Sequence, residues 1–327
     1  MQPKGQSNPD IICAGMLVAD IFVNPIPRVP PPGQLELTDR LLLAVGGCAS
    51  NTAVSLSRLG HQVTVLGKVG NDLFGDFVLK DFQRLGPDPS RLLRSQSYPT
   101  STTVVINVEG EDRRFIHSFG ANAEFSAADI DVSQFDAARA LYVGGFLAMP
   151  KLTAQDLKQV FRAAKERSVL TILDVVIPAG QSLPRDLLKA LLAFTDAFLP
   201  NDDEAFALTG LMDPVAQARA LSEMNPQCTI VITMGRRGAL ACRKGEIIRA
   251  GIYPVNVVDP SGAGDAFDAG LIAGMLEGWP LEKTLSFASA VGASCTRALG
   301  CTAGVFNFDE ASSFVATHSL NIEHVRG

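Results

Sequence analysis

The sequence DPSGAGD, from Asp259 to Asp265, contains the residue types and spacing that most directly suggest chemistry. An apolar run ends at the first aspartate, and an apolar stretch that reads as a helix follows the second. The turn between them would present the backbone N–H groups of Gly262, Ala263 and Gly264 at the positive end of that helix. Free N–H groups at a helix N-terminus bind anions such as phosphate, and glycine allows a bulky anion to approach closely.

Asp265 has two interpretations at this position. Acidic residues are common in the first turn of a helix, where they stabilise the positive end of the dipole without any further role. Alternatively, Asp265 accepts the proton of an attacking hydroxyl group while the preceding N–H groups stabilise a transferred phosphoryl group. Phosphoryl transfer depends mainly on orientation and charge stabilisation, so an aspartate with a pKa of about 4 would be adequate. The residues alone leave both interpretations open.

Two other phosphate-binding motifs are excluded by their spacing. A P-loop requires GxxxxGK followed by Ser or Thr. Here Gly67 and Lys68 are followed by Val69, and Gln62 stands where the first glycine should be. A dinucleotide-binding GxGxxG motif fails because Phe267 stands at the position of the third glycine and because the motif lies late in the chain.

The composition is that of a globular protein. The chain has 327 residues, 47% of them apolar, which is enough to bury a large core. A net charge of −6 gives no diffuse attraction for nucleic acid or anionic membranes, so neither is expected as a partner. The six cysteines show no CxxC spacing, and the first residues lack the pattern of a signal peptide. We therefore expect a reduced, cytoplasmic protein.

Apolar runs typical of β-strands alternate with amphipathic stretches typical of helices along most of the chain. This alternation predicts a three-layer α/β fold, in which helices cover both faces of a mainly parallel sheet. The predicted strands are Ile11–Gly15, Val63–Gly67, Ala140–Val143, Val169–Leu173, Ala197–Leu199 and Thr229–Thr233. The predicted helices are Ala49–Leu59, Leu73–Leu85, Thr153–Arg167, Pro184–Ala193, Asp202–Leu208, Pro214–Met224 and Asp265–Glu277.

Two segments interrupt this alternation and are predicted to form a small β-sheet outside the main one. The segment 22–45 carries five prolines followed by alternating residues, and the segment 100–120 contains two β-rich runs that form a hairpin around Gly110. We expect this small sheet to act as a lid that excludes water from a transfer site. The lid and the main sheet would belong to a single domain spanning residues 10–320.

Two motifs resemble those of the ribokinase-like, or PfkB, family of carbohydrate kinases. DPSGAGDAFDAG, from Asp259 to Gly270, is similar to the late motif of the family. VGGCASNTAVSLSRLG, with Gly46, Gly47 and Asn51, is similar to its early motif. Both motifs occur in the family's order, and the similar layout covers nearly the whole chain. The resemblance implies a ribokinase-like fold and ATP-dependent phosphorylation of a hydroxyl group on a small sugar or sugar derivative.

The resemblance also implies roles for the matching residues. The implied catalytic residues are Asp265, as the base, and Gly262, Ala263 and Gly264, as the anion hole. The implied ATP-binding residues are Asn201, Thr233, Gly235 and Gly238. The implied magnesium residues, acting through water, are Asn201 and Glu204 of the NDDE sequence. The implied substrate-binding residues are Asp20, Gly46, Gly47 and Asn51. The implied ligands of a monovalent cation such as K⁺ are Asp259, Ser261, Ser294 and Gly300.

Several of these residues also have an ordinary structural interpretation. Asp20 is expected to end the first strand, where α/β sheets bind ligands, but it could equally be a turn residue. Gly46 and Gly47 could form only a tight connection between a strand and a helix. Asn201 is suited to be a helix N-cap whether or not it contacts a ligand. The glycines around Arg236 are also typical of a hairpin turn.

The sequence departs from the family pattern at positions that bear on the substrate. Cys48 and Ala49 follow the glycine pair, where ribokinase itself has lysine and glycine, so the sugar need not be ribose. Pro260 and Ser261 replace Thr-like residues of many members, which puts the monovalent-cation loop in question. One alternative is a nucleoside kinase with an apolar wall formed by Phe22, Phe115 or Phe119. Another is a non-catalytic sugar-binding regulatory protein. A homodimer that pairs through the lid is also expected.

Overall fold

A computed structural model describes residues 10–111, 113–178, 180 and 183–325. In chain order, its strands are β1 (Ile11–Gly15), β2 (Val18–Ile26), β3 (Leu41–Gly46), β4 (Val63–Leu66), β5 (Lys68–Gly70), β6 (Leu93–Ser95), β7 (Thr102–Val108), β8 (Arg114–Ser118), β9 (Ala140–Phe146), β10 (Leu170–Val175), β11 (Ala197–Phe198), β12 (Thr229–Thr233), β13 (Ala239–Arg243), β14 (Glu246–Ala250) and β15 (Ile322–Val325). Its α-helices are α1 (Cys48–Arg58), α2 (Leu73–Leu85), α3 (Ala154–Lys165), α4 (Arg185–Leu192), α5 (Asp202–Thr209), α6 (Pro214–Ser222), α7 (Ala263–Leu276), α8 (Leu281–Cys295) and α9 (Phe308–Thr317). Short 3₁₀ helices cover Gly120–Glu124, Ala127–Asp129, Val132–Asp136 and Gly235–Arg237. Within these described ranges, no helix is long and apolar enough to cross a membrane.

The main sheet has the strand order β15-β14-β13-β12-β11-β10-β9-β1-β4. Neighbouring strands from β4 to β12 are parallel, and β13, β14 and β15 extend the sheet in antiparallel fashion. The predicted mainly parallel sheet is therefore confirmed, and the predicted strands and helices end within three residues of the observed ones. The sequence analysis missed the short strands β5 and β6, and also β14, β15, α8 and α9, which follow the last predicted strand or surround α7.

The strand β1 shows how the three layers form. Its side chains are completely buried and point alternately to two separate cores. Ile11 and Cys13 pack in one core with α1, α2, α7 and α8. Ile12 and Ala14 pack in the other core with α3, α4 and α6. A strand buried on both faces is the expected position for a continuous apolar run in a parallel sheet.

The small sheet lies apart from the main sheet and has the strand order β3-β2-β7-β8. The predicted second sheet is thus confirmed, and β7 and β8 form the hairpin expected around Gly110. Residue 112, in that hairpin's connection, lies outside the described residues. The prediction that Asp20 ends the first strand is wrong, because β1 ends at Gly15 and Asp20 lies within β2 of the small sheet. The run IICAGMLVAD is divided between two strands in different sheets.

Asn122 stabilises the connection where this run divides. Its Nδ2 group donates a hydrogen bond of 3.0 Å to the carbonyl oxygen of Leu17, and its Oδ1 atom accepts one of 3.2 Å from the Leu17 N–H group. Both residues are completely buried. One side chain therefore satisfies the buried N–H and carbonyl groups of Leu17, which have no partner in either sheet. The chain can thus leave β1 and enter β2 without a buried unpaired backbone group.

The face of the small sheet opposite Asp20 carries an exposed apolar row. Leu43, Ile21, Val104 and Ile116 lie directly opposite one another across its four strands. The exposed fraction is 36% for Leu43 and 64% for Ile116. The homodimer through the lid stays a prediction, and this row offers exposed apolar side chains for it.

Replacing Asn122 with Ala should lower the free energy of unfolding by about 2–4 kcal/mol, because it leaves the buried N–H and carbonyl groups of Leu17 without partners. Urea unfolding followed by circular dichroism measures this loss. Asn321→Ala is the matched control, since Asn321 is exposed, and its effect should stay below about 0.5 kcal/mol. A loss for Asn122→Ala no larger than that of the control would contradict the role assigned to Asn122.

Candidate active site

Two adjoining cavities open at the carboxyl edge of the main sheet, where α/β sheets bind ligands. The first has a volume of about 670 Å³ and lies between the small sheet and residues that follow β1, β9 and β10, namely Met16, Ala148 and Val176. The second has a volume of about 500 Å³ and lies between the β12–β13 hairpin and the beginning of α7. Arg113 and Asn201 line both cavities, so the two share a boundary.

The DPSGAGD turn lies at this boundary. Ser261 and Gly262 line the first cavity, and Ala263 and Gly264 line the second. Gly262 has a φ of 75°, and a Cβ atom there would lie 2.3 Å from the carbonyl oxygen of Cys301. Only glycine fits this position. The helix α7 begins at Ala263, two residues before the predicted start.

The N–H groups of the turn are partly used within the protein. Ala263 donates a hydrogen bond of 3.3 Å to the carbonyl oxygen of Pro260, which closes the turn, so the prediction of three free N–H groups is wrong for Ala263. Across the described residues, the N–H groups of Gly262 and Gly264 have no hydrogen-bond acceptor. These two donors and the positive end of α7 form a site for an anion.

The helices α1 and α7, which meet at this turn, both begin at a glycine N-cap. Gly47 is the N-cap of α1 and Gly262 is the N-cap of α7, and both glycines have a positive φ and no side chain that could cap the helix. By contrast, the side chains of Asn201 and Asn307 cap α5 and α9. A helix whose N-terminus lacks a side-chain cap keeps its first N–H groups available for a ligand.

Asp265 joins the two predicted motifs. Its Oδ2 atom accepts a hydrogen bond of 2.8 Å from Nδ2 of Asn51, and its carbonyl oxygen accepts one of 3.3 Å from the Thr52 hydroxyl group. Burial raises the pKa of Asp265 to about 6, although the hydrogen bond from Asn51 opposes this rise. The carboxyl group is therefore more basic than the ordinary aspartate assumed from the sequence.

Asn51 has an unsatisfied atom at the site. The residue is 4% exposed, and its Nδ2 group is used by Asp265. Its Oδ1 atom is buried and has no hydrogen-bond partner among the described residues. A buried acceptor without a donor is costly, so the position indicates a site for a ligand that carries a hydroxyl or N–H group.

Asp20 lines the first cavity from the small sheet. It is 7% exposed, and burial raises its pKa to about 7, while a hydrogen bond from Thr103 lowers it. A Cβ atom on Gly46 would lie 1.7 Å from Oδ2 of Asp20, so this glycine makes room for the carboxylate. Gly47 lines the cavity itself, and a Cβ atom added at this position would lie 2.6 Å from the carbonyl oxygen of Met16.

The residues predicted to bind ATP line the second cavity. Thr233, Gly235, Gly238 and Asn201 lie there together, on the β12–β13 hairpin and at the start of α5. Asn201 is the N-cap predicted from the sequence: its Oδ1 atom accepts a hydrogen bond of 2.8 Å from the Glu204 N–H group. The Glu204 carboxylate accepts one of 2.8 Å from the Asn201 N–H group in return, and burial raises the Glu204 pKa to about 7.

Two buried acids near the site were missed by the sequence analysis. Asp174, near the end of β10, accepts a hydrogen bond of 2.8 Å from the Gly145 N–H group. Asp268, one turn into α7, accepts a hydrogen bond of 3.1 Å from the Tyr142 hydroxyl group. Burial and repulsion between carboxylates raise both pKa values well above the ordinary value. A carboxylate near the carboxyl end of a predicted parallel strand could have revealed Asp174, whereas the Tyr142 contact requires the folded chain.

The acidic side chains at the site fit Mg²⁺. Glu204, Asp174 and Asp265 carry hard oxygen atoms of the kind that Mg²⁺ prefers, and a bound cation would offset the repulsion that contributes to the raised pKa values of Glu204 and Asp174. Among the described residues, no group of three or more His, Cys, Asp or Glu side chains is close enough to hold a metal directly. Oxygen ligands that reach the ion through water suit this arrangement, because Mg²⁺ commonly keeps several waters.

The four residues predicted to bind a monovalent cation are only partly brought together. Asp259 is 3% exposed and accepts hydrogen bonds from the N–H groups of Ser261, at 2.9 Å, and Gly300, at 3.0 Å. The Ser294 hydroxyl group instead donates to the Val291 carbonyl and accepts from the Phe306 N–H group. The carboxylate of Asp259 thus holds the turn in place, and cation binding stays a prediction.

Arg113 connects the small sheet to the DPSGAGD turn and was not found from the sequence. Its Nη1 atom donates a hydrogen bond of 2.8 Å to the Ser261 hydroxyl group and lies 3.9 Å from Oδ1 of Asp259. Phe115 and Phe119 are 58% and 41% exposed and line the first cavity nearby. No sequence pattern marks Arg113, because its contact depends on how the small sheet is placed.

A site of this kind, with an anion-binding helix N-terminus between two cavities and a basic carboxylate beside it, has the features of a phosphotransferase. The family model for pfkB family carbohydrate kinases matches residues 10–306. The chain therefore belongs to this family, and it is a sugar kinase of the ribokinase-like type.

Known relatives agree with this class and differ in the sugar that they are named for. Fructokinase of Klebsiella pneumoniae is 29% identical over 272 residues, which cover 80% of this chain and 88% of that protein. The 5-dehydro-2-deoxygluconokinase of Clostridium perfringens is 25% identical over 319 residues, which cover 94% and 92%. The structure of Arabidopsis thaliana ribokinase complexed with ribose and ATP has the same fold, with a TM-score of 0.79 and 24% identity over 96% of this chain and 100% of that one.

The raised pKa of Asp265 predicts that this residue destabilises the folded protein. An aspartate with a folded pKa of about 6 retains its proton while the unfolded chain loses it near pH 4, so stability falls between about pH 4 and 6. Asp265→Asn should therefore be more stable than the wild type by on the order of 1 kcal/mol at pH 8, and less so at pH 4. Urea unfolding at both values measures the difference. Equal stability at pH 8 would argue against a raised pKa.

Proposed function

We propose that the protein transfers the γ-phosphoryl group of ATP to a hydroxyl group of a small sugar or sugar derivative. The observation that carries this proposal is the hydrogen bond between Asn51 and Asp265 at the boundary of the two cavities. It aligns a basic carboxylate with a buried, unpaired acceptor at Asn51. A hydroxyl group that donates to either oxygen would be held beside the free N–H groups of the DPSGAGD turn.

The acceptor sugar would occupy the first cavity. Asp20 is suited to accept hydrogen bonds from sugar hydroxyl groups, and the Asn51 Oδ1 atom gains the donor that it lacks. Asp265 would then take the proton of the attacking hydroxyl group. Its pKa of about 6 leaves it ionised at neutral pH and makes it a stronger base than an ordinary aspartate.

The nucleotide would occupy the second cavity, with its phosphates directed towards the boundary. Thr233, Gly235 and Gly238 line the side of this cavity, and Gly264 lies at the beginning of α7. The uncapped helix N-terminus would stabilise the charge on the transferred group. Mg²⁺, held through water near Glu204 and Asn201, would neutralise phosphate charge when bound.

The small sheet would act as the lid over the acceptor. Arg113 supports this role because it reaches from the β7–β8 hairpin to the hydroxyl group of Ser261 in the turn. A lid fixed at this point would exclude water from the transferred phosphoryl group, which limits hydrolysis of ATP.

A nucleoside is the second candidate acceptor, because Phe115 and Phe119 present exposed aromatic surface to the first cavity. A base could stack on such surface while the ribose contacts Asp20 and Asn51. Phe22 does not contribute exposed surface, since its side chain is completely buried against Val105 and Cys301. A non-catalytic sugar-binding protein is less well supported, because Asp265 and the glycine turn are intact.

The proposal is tested by measuring ATP consumption with ribose, fructose, 2-keto-3-deoxygluconate and adenosine. Asp265→Asn should lower kcat by about 10²–10⁴-fold for the accepted substrate, the range for a positioned proton acceptor. The matched control is Asp186→Asn, since Asp186 is also a first-turn acid but is exposed on α4. Full activity in Asp265→Asn would remove this residue from the mechanism. Sugar-dependent thermal stabilisation without turnover would favour the non-catalytic alternative.

The pH dependence of kcat/KM provides a separate test. Asp265, with a pKa of about 6, must be ionised to take up the proton, and Asp20, with a pKa of about 7, must be ionised to accept hydrogen bonds at both oxygens. We therefore expect kcat/KM for the acceptor to decline as the pH falls below about 7, and more steeply below 6. An Asp20→Asn variant should retain only the lower of the two transitions. A decline that begins only near pH 4 would contradict the raised pKa values.

A further inference from the structure

A row of three polar side chains crosses the small sheet above the first cavity. In the sheet register, Asp20 on β2 lies opposite Thr103 on β7, and Thr103 lies opposite His117 on β8. All three side chains line the cavity. The next row on the same face consists of Phe22, Val105 and Phe115, so this polar row is bordered by an apolar one.

The hydrogen bonds along the polar row have a defined direction. Above about pH 7 Asp20 is ionised and can only accept, so the hydrogen bond that it shares with Thr103 is then donated by the Thr103 hydroxyl group. The Thr103 oxygen lies 2.9 Å from Nδ1 of His117 and therefore accepts from an N–H group there. Burial lowers the pKa of His117, which keeps the ring neutral near pH 7. With Asp20 ionised, this direction places the proton on Nδ1 and leaves the lone pair of Nε2 free.

The lone pair on Nε2 is available to a ligand. Nε2 has no hydrogen-bond partner among the described residues, and the His117 side chain is exposed towards the first cavity. The ring also packs edge-on against Phe119, with 5.3 Å between the ring centroids, which restricts its orientation. The ionisable groups that share the cavity wall are Asp20 on β2, Arg113 ahead of β8 and the thiol of Cys301.

We propose that His117 is a specificity-determining residue that accepts a hydrogen bond through Nε2 from a hydroxyl or N–H group of the acceptor. This inference rests on the proposed function for the identity of the first cavity. Asp20 and His117 then offer two acceptors and no donor along the row. The site selects a neutral polyhydroxy compound and disfavours a carboxylate at this end, because a carboxylate would face a lone pair at Nε2 and a negative charge at Asp20.

A purely structural role for His117 makes a different prediction. In that case the side chain would serve only to position Thr103, and only its hydrogen bond through Nδ1 would affect ligand binding. Asparagine places its amide group near the position of Nδ1, whereas glutamine reaches the position of Nε2. His117→Asn therefore retains the contact with Thr103, and His117→Gln retains an acceptor towards the ligand.

Calorimetric titration with D-fructose, D-ribose and D-gluconate, in the presence of a non-hydrolysable ATP analogue, separates these roles. For the neutral sugar that binds the wild type, His117→Asn should weaken binding by roughly 10-fold and His117→Gln by less than about 3-fold, as expected for one hydrogen bond. D-gluconate should bind more weakly than either sugar. His324→Gln, at an exposed histidine on β15, is the matched control and should bind like the wild type.

The outcomes for this inference and for the kinase assignment are distinct. The reverse order, with His117→Gln impaired and His117→Asn normal, would overturn the inference even if ATP turnover is observed. The expected order without turnover would support His117 while refuting the kinase function. Preference for D-gluconate, or no binding of any of the three compounds, would overturn the inference. Nitrogen NMR of the wild-type imidazole is independent of any variant, and a proton found on Nε2 would also overturn it.

Discussion

The hydrogen bond between Asn51 and Asp265 is the interaction on which the site depends. Asn51 belongs to α1 and Asp265 to α7, and 213 residues lie between them in the chain. The bond brings together two helix N-termini that begin at glycine N-caps, without a side chain that caps their N–H groups. Two convergent positive helix ends explain how one carboxylate can remain close to an anion-binding turn, since the dipoles offset its negative charge.

Burial of acidic groups is the main electrostatic cost of this arrangement. Asp265, Glu204, Asp174 and Asp268 all have raised pKa values, and in each case burial is the largest cause. Groups in this state favour a bound cation or a proton, because either relieves the repulsion between them. Burial of Asp265 therefore affects both stability and function. It raises the pKa of the carboxyl group, which makes Asp265 a better base, and it also lowers the stability of the folded protein at neutral pH.

In the small sheet, the alternation of side chains between the two faces of each strand creates the surface that lines the first cavity. Because successive side chains point to opposite faces, Asp20 and Phe22 face the first cavity while Ile21 faces outwards. Pairing across the strands then aligns Asp20 with Thr103 and His117. The polar and apolar rows that result are properties of strand register, and a shift of one residue in any strand would reverse them.

The sequence by itself determined the layers, the small sheet and the two motifs. Apolar periodicity located the first strands and helices because burial of an apolar face is a local requirement of each element. Glycines in DPSGAGD located the turn, because few other residues tolerate a φ such as the 75° of Gly262. The start of β2 at Val18 escaped detection, since the run from Ile11 to Ala19 contains no charged residue to mark a break.

The tertiary structure alone decided which side chains meet. The pKa of Asp265, the unpaired oxygen of Asn51 and the contact of Arg113 with Ser261 depend on distances between elements that are far apart in the chain. The alignment of His117 with Asp20 likewise depends on the register of three strands. Local sequence patterns record the preferences of single elements, whereas hydrogen bonds and burial at a site arise only when those elements pack together.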